Sequence, residues 1–271
     1  MKKQAATVGG IEIRKKPLSL RIWNNRGYYL MFLPVLVFLI IMYYWPMLGV
    51  RYAFYDYKPV GTPAYVGFKH FQKMFATKDF WRAFTNTLEL SIVRLIITNV
   101  SAVIVSLFLN EMKNLFAKKT LQTIIYLPHF MSWAVVASIF SLFLSPSSTG
   151  MINGLLRDIG ILGPDDKNIY FLANKAWWRP IFYFINIWKE TGWGTIIFLA
   201  TLSGINPELY EAADIDGASR MQKIRFVTLP ALTNTIITVL ILNLAKVLNM
   251  FEPVFVLYNS AVYDLSLIHI S

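Results

Sequence analysis

The sequence predicts an all-α fold, a polytopic membrane helix bundle that crosses the bilayer about five times. Three observations carry this prediction. Hydrophobic residues make up 56% and charged residues 15% of the 271 residues, against roughly 45–50% and 25% in soluble domains. The run 28–50, YYLMFLPVLVFLIIMYYWPMLGV, contains no charge; as a helix it measures about 34 Å, enough to cross a hydrocarbon core of about 30 Å. Aromatics reach 15%, with Trp at 8 positions, as expected where rings sit at membrane–water interfaces.

The elements follow in order. Segment 1–27 holds Lys2, Lys3, Arg14, Lys15, Lys16, Arg21 and Arg26 against a single acid, Glu12. The positive-inside rule places this N-terminus in the cytoplasm. The run 28–50 is too long for a signal-peptide core and lacks a small-residue cleavage site. Pro34 is tolerable there, because neighbouring helices satisfy freed carbonyls. The next connection, YDYKPVGTPAYVGFKHFQKMF, is rich in aromatics, Gly and Pro and suits packing on the span ends or on a partner. Further spans are expected near 86–110, 121–145, 180–202 and 232–254. Lys113, Lys118 and Lys119 mark the 111–120 connection as cytoplasmic, and 203–231 then lies on the same side.

The net charge of +11 is thereby spread over loops on both faces. No single basic face emerges, which excludes a nucleic-acid footprint. The absence of Cys excludes a disulfide scaffold. His70, His129 and His269 match no metal-ligand spacing, and neither a Gly-x-Ser-x-Gly elbow nor a His-Glu-x-x-His pair occurs. No catalytic residue, metal or cofactor is expected, and the chain reads as a non-enzyme.

Four ionisable residues fall inside predicted spans: Arg94, Lys189, Glu190 and Lys246. All lie about 12–15 Å from the outer ends of their spans. An unpaired charge at a helix centre costs about 2.5–3.5 kcal/mol on insertion scales. Adjacent Lys189 and Glu190 point about 100° apart and are not expected to face each other. Glu190 neutralises one cation and leaves two unmatched. These residues, joined by Asn186 and Asn243, are expected to face a wet cavity or a partner chain; the bland alternative is snorkelling or structural pairing.

The stretch 206–230, NPELYEAADIDGASRMQKIRFVTLP, reads as two short helices with a sharp break. Asn206 suits an N-cap and Pro207 a first helical position. Glu208 and Glu211 lie near the positive helix end. Leu209, Ala212, Ala213 and Asp216 form a small, mostly apolar stripe fit for close docking. Gly217 supplies the positive φ that ends the helix. Ser219-x-x-Gln222 fits a capping box at the second start, and Pro230 is expected to open another break.

The pattern Glu211-Ala212-Ala213-x3-Gly217-x9-Val227-x-Leu229-Pro230 resembles the EAA loop of binding-protein-dependent ABC importer permeases, with Val227 where Ile is usual. Tyr210 and Ile215-Asp216-Gly217-Ala218 resemble the sugar-permease branch, as does Val66-Gly67-Phe68-Lys69-His70-Phe71 ahead of Asn86-Thr87-Leu88. Tyr126-Leu127-Pro128-His129-Phe130-x-Ser132-Trp133 and Trp188-Lys189-Glu190-x-Gly192-Trp193 resemble the LplB-like subgroup.

The resemblance implies a type I importer transmembrane domain over 28–264. It implies pairing with a second permease, and two ATPase subunits that bind the cytoplasmic loops of the pair, here the 206–230 loop, and move them as levers. An extracytoplasmic solute-binding protein would deliver a carbohydrate, and Trp188 and Trp193 would offer flat faces for sugar rings. The chain lacks a Gly-x4-Gly-Lys-Ser/Thr loop and so leaves ATP chemistry to partner chains. Alternative readings are a permease for another solute, or a membrane-anchored sensing subunit using the same loop.

The resemblance also implies a sixth span after Asp264. The ending LSLIHIS fits no pattern of the family and resembles a translated sequencing adapter. The expectation is a truncated gene with a foreign tail at 265–271, which the underlying DNA would test.

Overall fold

The computed structural model describes residues 7–8, 11–12, 17–58, 61–147, 150–163 and 165–265. Lys2, Lys3, Arg14, Lys15, Lys16, His269 and the tail 266–271 lie outside them. The chain divides into two compact units, Met1–Ala76 and Thr77–Ser271. Apart from two two-residue ladders, β1 (Thr7–Val8) with β2 (Ile11–Glu12) and β3 (Tyr55–Asp56) with β4 (Ala64–Tyr65), the regular structure described is helical.

In the first unit α1 (Leu18–Asn24) precedes α2 (Arg26–Phe54), a continuous 29-residue helix. Pro34 sits inside it without ending it, and a π turn at Ile40–Tyr44 loosens the coil ahead of Pro46. The apolar window of α2 finds no cover within its own unit. Such a surface suits contact with lipid tails or another membrane helix. The loop that follows closes on itself: Tyr55 pairs with Tyr65, and Phe54 packs on Phe68 and Phe71 at 5.5 and 5.3 Å between ring centroids. His70 Nε2 meets the Tyr55 carbonyl at 3.1 Å. Helix α3 (Lys69–Ala76) ends the unit.

The second unit is built on α4 (Lys78–Glu111) and α8 (Lys175–Ser203), its most extensively paired helices. Between them come α5 (Leu115–Phe130), α6 (Trp133–Phe143) and α7 (Met151–Asp158). After α8 come α9 (Glu208–Ile215), α10 (Arg220–Leu244) and α11 (Phe251–Leu257). One core joins Leu90, Val136, Trp178, Phe182, Ile185 and Val254; the other joins Ala102, Phe198, Leu232 and Val239. Close approach is set by Gly192, where a Cβ would stand 2.3 Å from the Ile125 carbonyl oxygen. Only a residue without a side chain lets α8 touch the α5 backbone there.

Among the described residues three helices, α2, α4 and α10, are long and apolar enough to cross a membrane, or four spans when the bent pair α5–α6 is counted as one. Helix α8 has 29 residues, about 43 Å, but its polar content keeps it out of the apolar set. The expected span 121–145 is therefore corrected: it is two helices bent by 103°. Pro128 removes a donor in the last turn of α5, Met131 turns to ψ 142°, and Ser132 caps α6 by accepting from Val135 N at 3.3 Å.

Two boundaries also change. The expected span 232–254 ends at Leu244 and gives way to a turn before α11. The break expected at Pro230 is absent: α10 runs through it because a π turn at Ile224–Thr228 widens the coil just ahead of the proline.

Candidate functional site

Two constellations stand out, one at the α9–α10 loop and one in a cavity beside α8. The loop follows local chemistry closely. Asn206 Oδ1 accepts from Glu208 N at 3.1 Å, so its side chain serves the cap although Pro207 holds the N-cap position. At the other end of α9, Gly217 has φ +73°. Ala218 N reaches Ala213 O at 2.9 Å and Gly217 N reaches Asp214 O at 3.1 Å, the bonding of a Schellman motif. Ser219 then forms the full capping box with Gln222.

Two side-chain ties make this a braced unit. Lys223 Nζ donates to Asp214 Oδ1 at 2.6 Å, and the Tyr210 and Thr228 hydroxyls pair at 3.0 Å. Asp214, Lys223 and Thr228 were not legible as functional in the sequence, because their partners lie across the turn. Glu211, Ala212, Asp216 and Pro230 are exposed, whereas Ala213, Ala218 and Leu229 are half-buried. Ile215 is 87% exposed, and Leu209, Met221 and Phe226 are exposed with it, leaving an apolar surface unfilled by this chain.

The cavity measures about 560 Å³, within the roughly 300–1,000 Å³ common for small-molecule sites. Of the eight intramembrane candidates, it gathers Arg94 from α4, Glu190 and Trp193 from α8, Asn243 from α10, and Lys246. Lys246 stands in the turn after α10 and not within a helix. Ser91 Oγ donates to the Val247 carbonyl at 2.5 Å and ties that turn to α4.

Asn186, Trp188 and Lys189 are placed elsewhere. Asn186 is buried and donates to Phe182 O of its own helix at 2.7 Å. Trp188 packs edge-on against Phe140 at 5.5 Å. Lys189 is 4% exposed, and its ammonium donates to the His129 and Met131 carbonyls at 2.9 and 2.8 Å. It caps the break between α5 and α6, with the Trp133 ring 5.3 Å away. Contrary to the sequence expectation, its Nζ also lies within 3.9 Å of Glu190: both side chains swing toward the break, so the 100° between them is no bar.

Sequence reasoning passed over His129 and Asn99. His129 Nδ1 meets Glu190 Oε2 at 3.1 Å, and its ring stacks on Trp193 at 5.0 Å and 13°. Asn99 donates to Leu95 O at 3.0 Å, but its Oδ1, also buried, has no hydrogen-bond partner. The signal for His129 was its place beside Pro128 at a helix break. Among the described residues no group of three or more His, Cys, Asp or Glu is arranged to hold a metal ion.

Residues 102–259 match the family described as the binding-protein-dependent transport system inner membrane component. The chain is 42% identical over 241 residues to protein LplB of Bacillus subtilis (strain 168), covering 88% of this chain and 74% of that protein. It is 37% identical over 264 residues to the polygalacturonan/rhamnogalacturonan transport system permease protein YteP of the same organism, covering 95% and 80%. A crystal structure of a bacterial alginate ABC transporter, in complex with an alginate pentasaccharide-bound periplasmic protein, contains a chain 38% identical to this one. The fit has a TM-score of 0.82 and covers 92% of this chain and 82% of that one. The transported-solute machinery is thus a membrane subunit and not an enzyme, and this chain belongs to the binding-protein-dependent transport system inner membrane component family, as an ABC importer permease.

Proposed function

We propose that this chain and a second permease form the translocation pathway of an ATP-driven importer for a sugar or oligosaccharide. Two ATPase subunits bind the cytoplasmic loops of the two permeases, one of them on the 206–230 loop of this chain, and an extracytoplasmic binding protein delivers the solute. The observation that carries the reading is the continuity of α8: it supplies Glu190 and Trp193 to the cavity and runs on to the braced loop. The exposed apolar side chains around that loop are what a soluble partner would cover.

The carbohydrate assignment draws support from relatives whose names carry saccharides, and from Trp193, half-exposed beside polar groups. The periplasmic protein in the related complex supports delivery by a binding protein. An N-terminus in the cytoplasm is supported by Arg21 and Arg26 ahead of the apolar run and by the lysines of 111–120.

Pathway residues on this reading are Arg94, Glu190, Trp193, Asn243 and Lys246, with His129 and Asn99. Asn186, Trp188 and Lys189 support the helices around them. The test is uptake by Glu190→Gln in proteoliposomes, with assembly of the importer measured separately. Assembly retained with uptake lost supports the reading; normal uptake removes Glu190 from the pathway.

A further inference from the structure

The corner between α1 and α2 carries apolar surface and charge that find no cover among the described residues. Helix α1 has seven residues, too few for a helix to stand alone in water. Asn25, at φ −103° and ψ 15°, separates it from α2. Leu20, Ile22 and Trp23 are 48%, 51% and 67% exposed, so the cover that holds α1 comes from outside the unit. Position identifies that cover. As a helix the uncharged run 28–50 exceeds a hydrocarbon core of about 30 Å by about 4 Å. Arg26, two positions ahead of the run, then stands about 5 Å outside the hydrocarbon, in the headgroup layer.

Charge identifies the lipid. Arg26 donates to the Trp23 carbonyl at 3.3 Å, and its guanidinium lies over the Trp23 ring, 5.0 Å from the centroid. Among the described residues neither Arg26 nor Arg21 pairs with a carboxylate. Segment 1–27 as a whole sets seven basic residues against Glu12, and a basic cluster beside a membrane helix is drawn to anionic lipid. A guanidinium also takes phosphate oxygens in two-point contact.

We propose that the α1–α2 corner binds an anionic phospholipid. Arg26 holds the headgroup phosphate, Arg21 in the last turn of α1 adds to the attraction, and Trp23 and Ile22 lie against the upper acyl region. Phosphatidylcholine offers the same phosphate, but its choline cancels the charge, so preference between the two lipids measures the electrostatic part. The inference rests on α2 as a membrane span and not on the solute.

Because the chain has no Cys, Ser19→Cys gives a single labelling site on α1 when the partner chains are made cysteine-free. Asn24→Cys is the second site should the first fail to assemble. The assembled importer, labelled there with a fluorescent donor, is placed in phosphatidylcholine vesicles. The acceptor is a trace of acyl-labelled phosphatidylglycerol or acyl-labelled phosphatidylcholine. Energy transfer should favour phosphatidylglycerol. Arg26→Gln should cut the relative association constant about fivefold, the equivalent of about 1 kcal/mol for one basic residue at the surface. Arg21→Gln combined with Arg26→Gln should cut it about thirtyfold. Arg26→Lys keeps the charge without the fork and should recover part of the loss.

Equal transfer from the two lipids overturns the proposal, as does a preference that the double variant leaves intact. Release of the labelled lipid by millimolar inorganic phosphate also overturns it, by making the corner a site for soluble anions. Loss of partner chains from the double variant at unchanged lipid preference overturns it by assigning α1 to a protein contact.

Discussion

Lys189→Met is the substitution that separates a supporting role from a transport role. Methionine keeps most of the length and apolar volume of lysine but removes the ammonium. The His129 and Met131 carbonyls, bonded at 2.9 and 2.8 Å, then lose their donor where the side chain above them is 5% exposed. An orphaned buried acceptor costs about 1–3 kcal/mol, so two of them cost about 2–6 kcal/mol. Breaking a buried charged pair from one side gives a similar figure, about 3–5 kcal/mol, because Glu190 also loses its neighbour at 3.9 Å. Relief of ammonium burial offsets part of this, but the carbonyls stay buried. The net expectation is a loss of about 3 kcal/mol, or about 10 °C in the melting temperature of a domain this size. The assay is thermal unfolding of the solubilised importer, with uptake measured per assembled complex. Lys189→Arg retains donors and should recover part of the loss. An unchanged melting temperature, or normal assembly with no uptake, would refute the reasoning by making Lys189 a group that meets the solute.

Three further outcomes are expected. Gly192→Val should displace α8 from α5, because even a Cβ would stand 2.3 Å from the Ile125 carbonyl oxygen; overpacking costs about 1–3 kcal/mol, read as reduced assembly yield at unchanged expression. Gly217→Val should strain the turn at φ +73° by about 1–3 kcal/mol, lowering substrate-stimulated ATP hydrolysis while membrane insertion stays normal. Tyr210→Phe removes the hydroxyl that meets Thr228 at 3.0 Å, about 1 kcal/mol; it should reduce ATPase coupling modestly, and a full-strength response would show that this tie does not matter.

What the sequence disclosed and what it hid divide by range. The capping box at Ser219 and Gln222 and the turn at Gly217 involve neighbours three to five positions apart, so local chemistry predicts them. The break at Pro128 to Ser132 was hidden, although both signals stand in the sequence. Hydropathy is continuous across it, and span counting reads apolarity, not direction. Lys189 looked like a pathway charge because depth alone was visible. Its partners are carbonyls 58 and 60 positions away, and main-chain acceptors leave no trace in a sequence. His129 was set aside as a lone histidine for the same reason: Glu190 lies 61 positions away. The π turn ahead of Pro230 is hidden differently, since a helix can absorb a proline by widening as well as by stopping.

These corrections place the loop and the cavity on one mechanical element. From Glu190 to Ser203 along α8 is about 20 Å. The helix is anchored midway by Thr195, which is fully buried, and near its end by the Thr201–Thr235 hydroxyl pair at 3.0 Å to α10. Helix α10 also borders the cavity at Val239 and Asn243. Its first turns carry Lys223 and Thr228, which brace α9. A displacement of the loop by a docked ATPase would therefore reach the cavity along two cavity-lining helices joined at their loop ends. At the far side, Glu190 and Trp193 contact His129 directly at the break between α5 and α6. Lys189 and the stacked His129 ring tie the 103° bend between α5 and α6 to α8. On the proposed reading, ATP-driven movement alters the angle at that break, and the charge that holds the break closed is the same charge the solute does not need to meet.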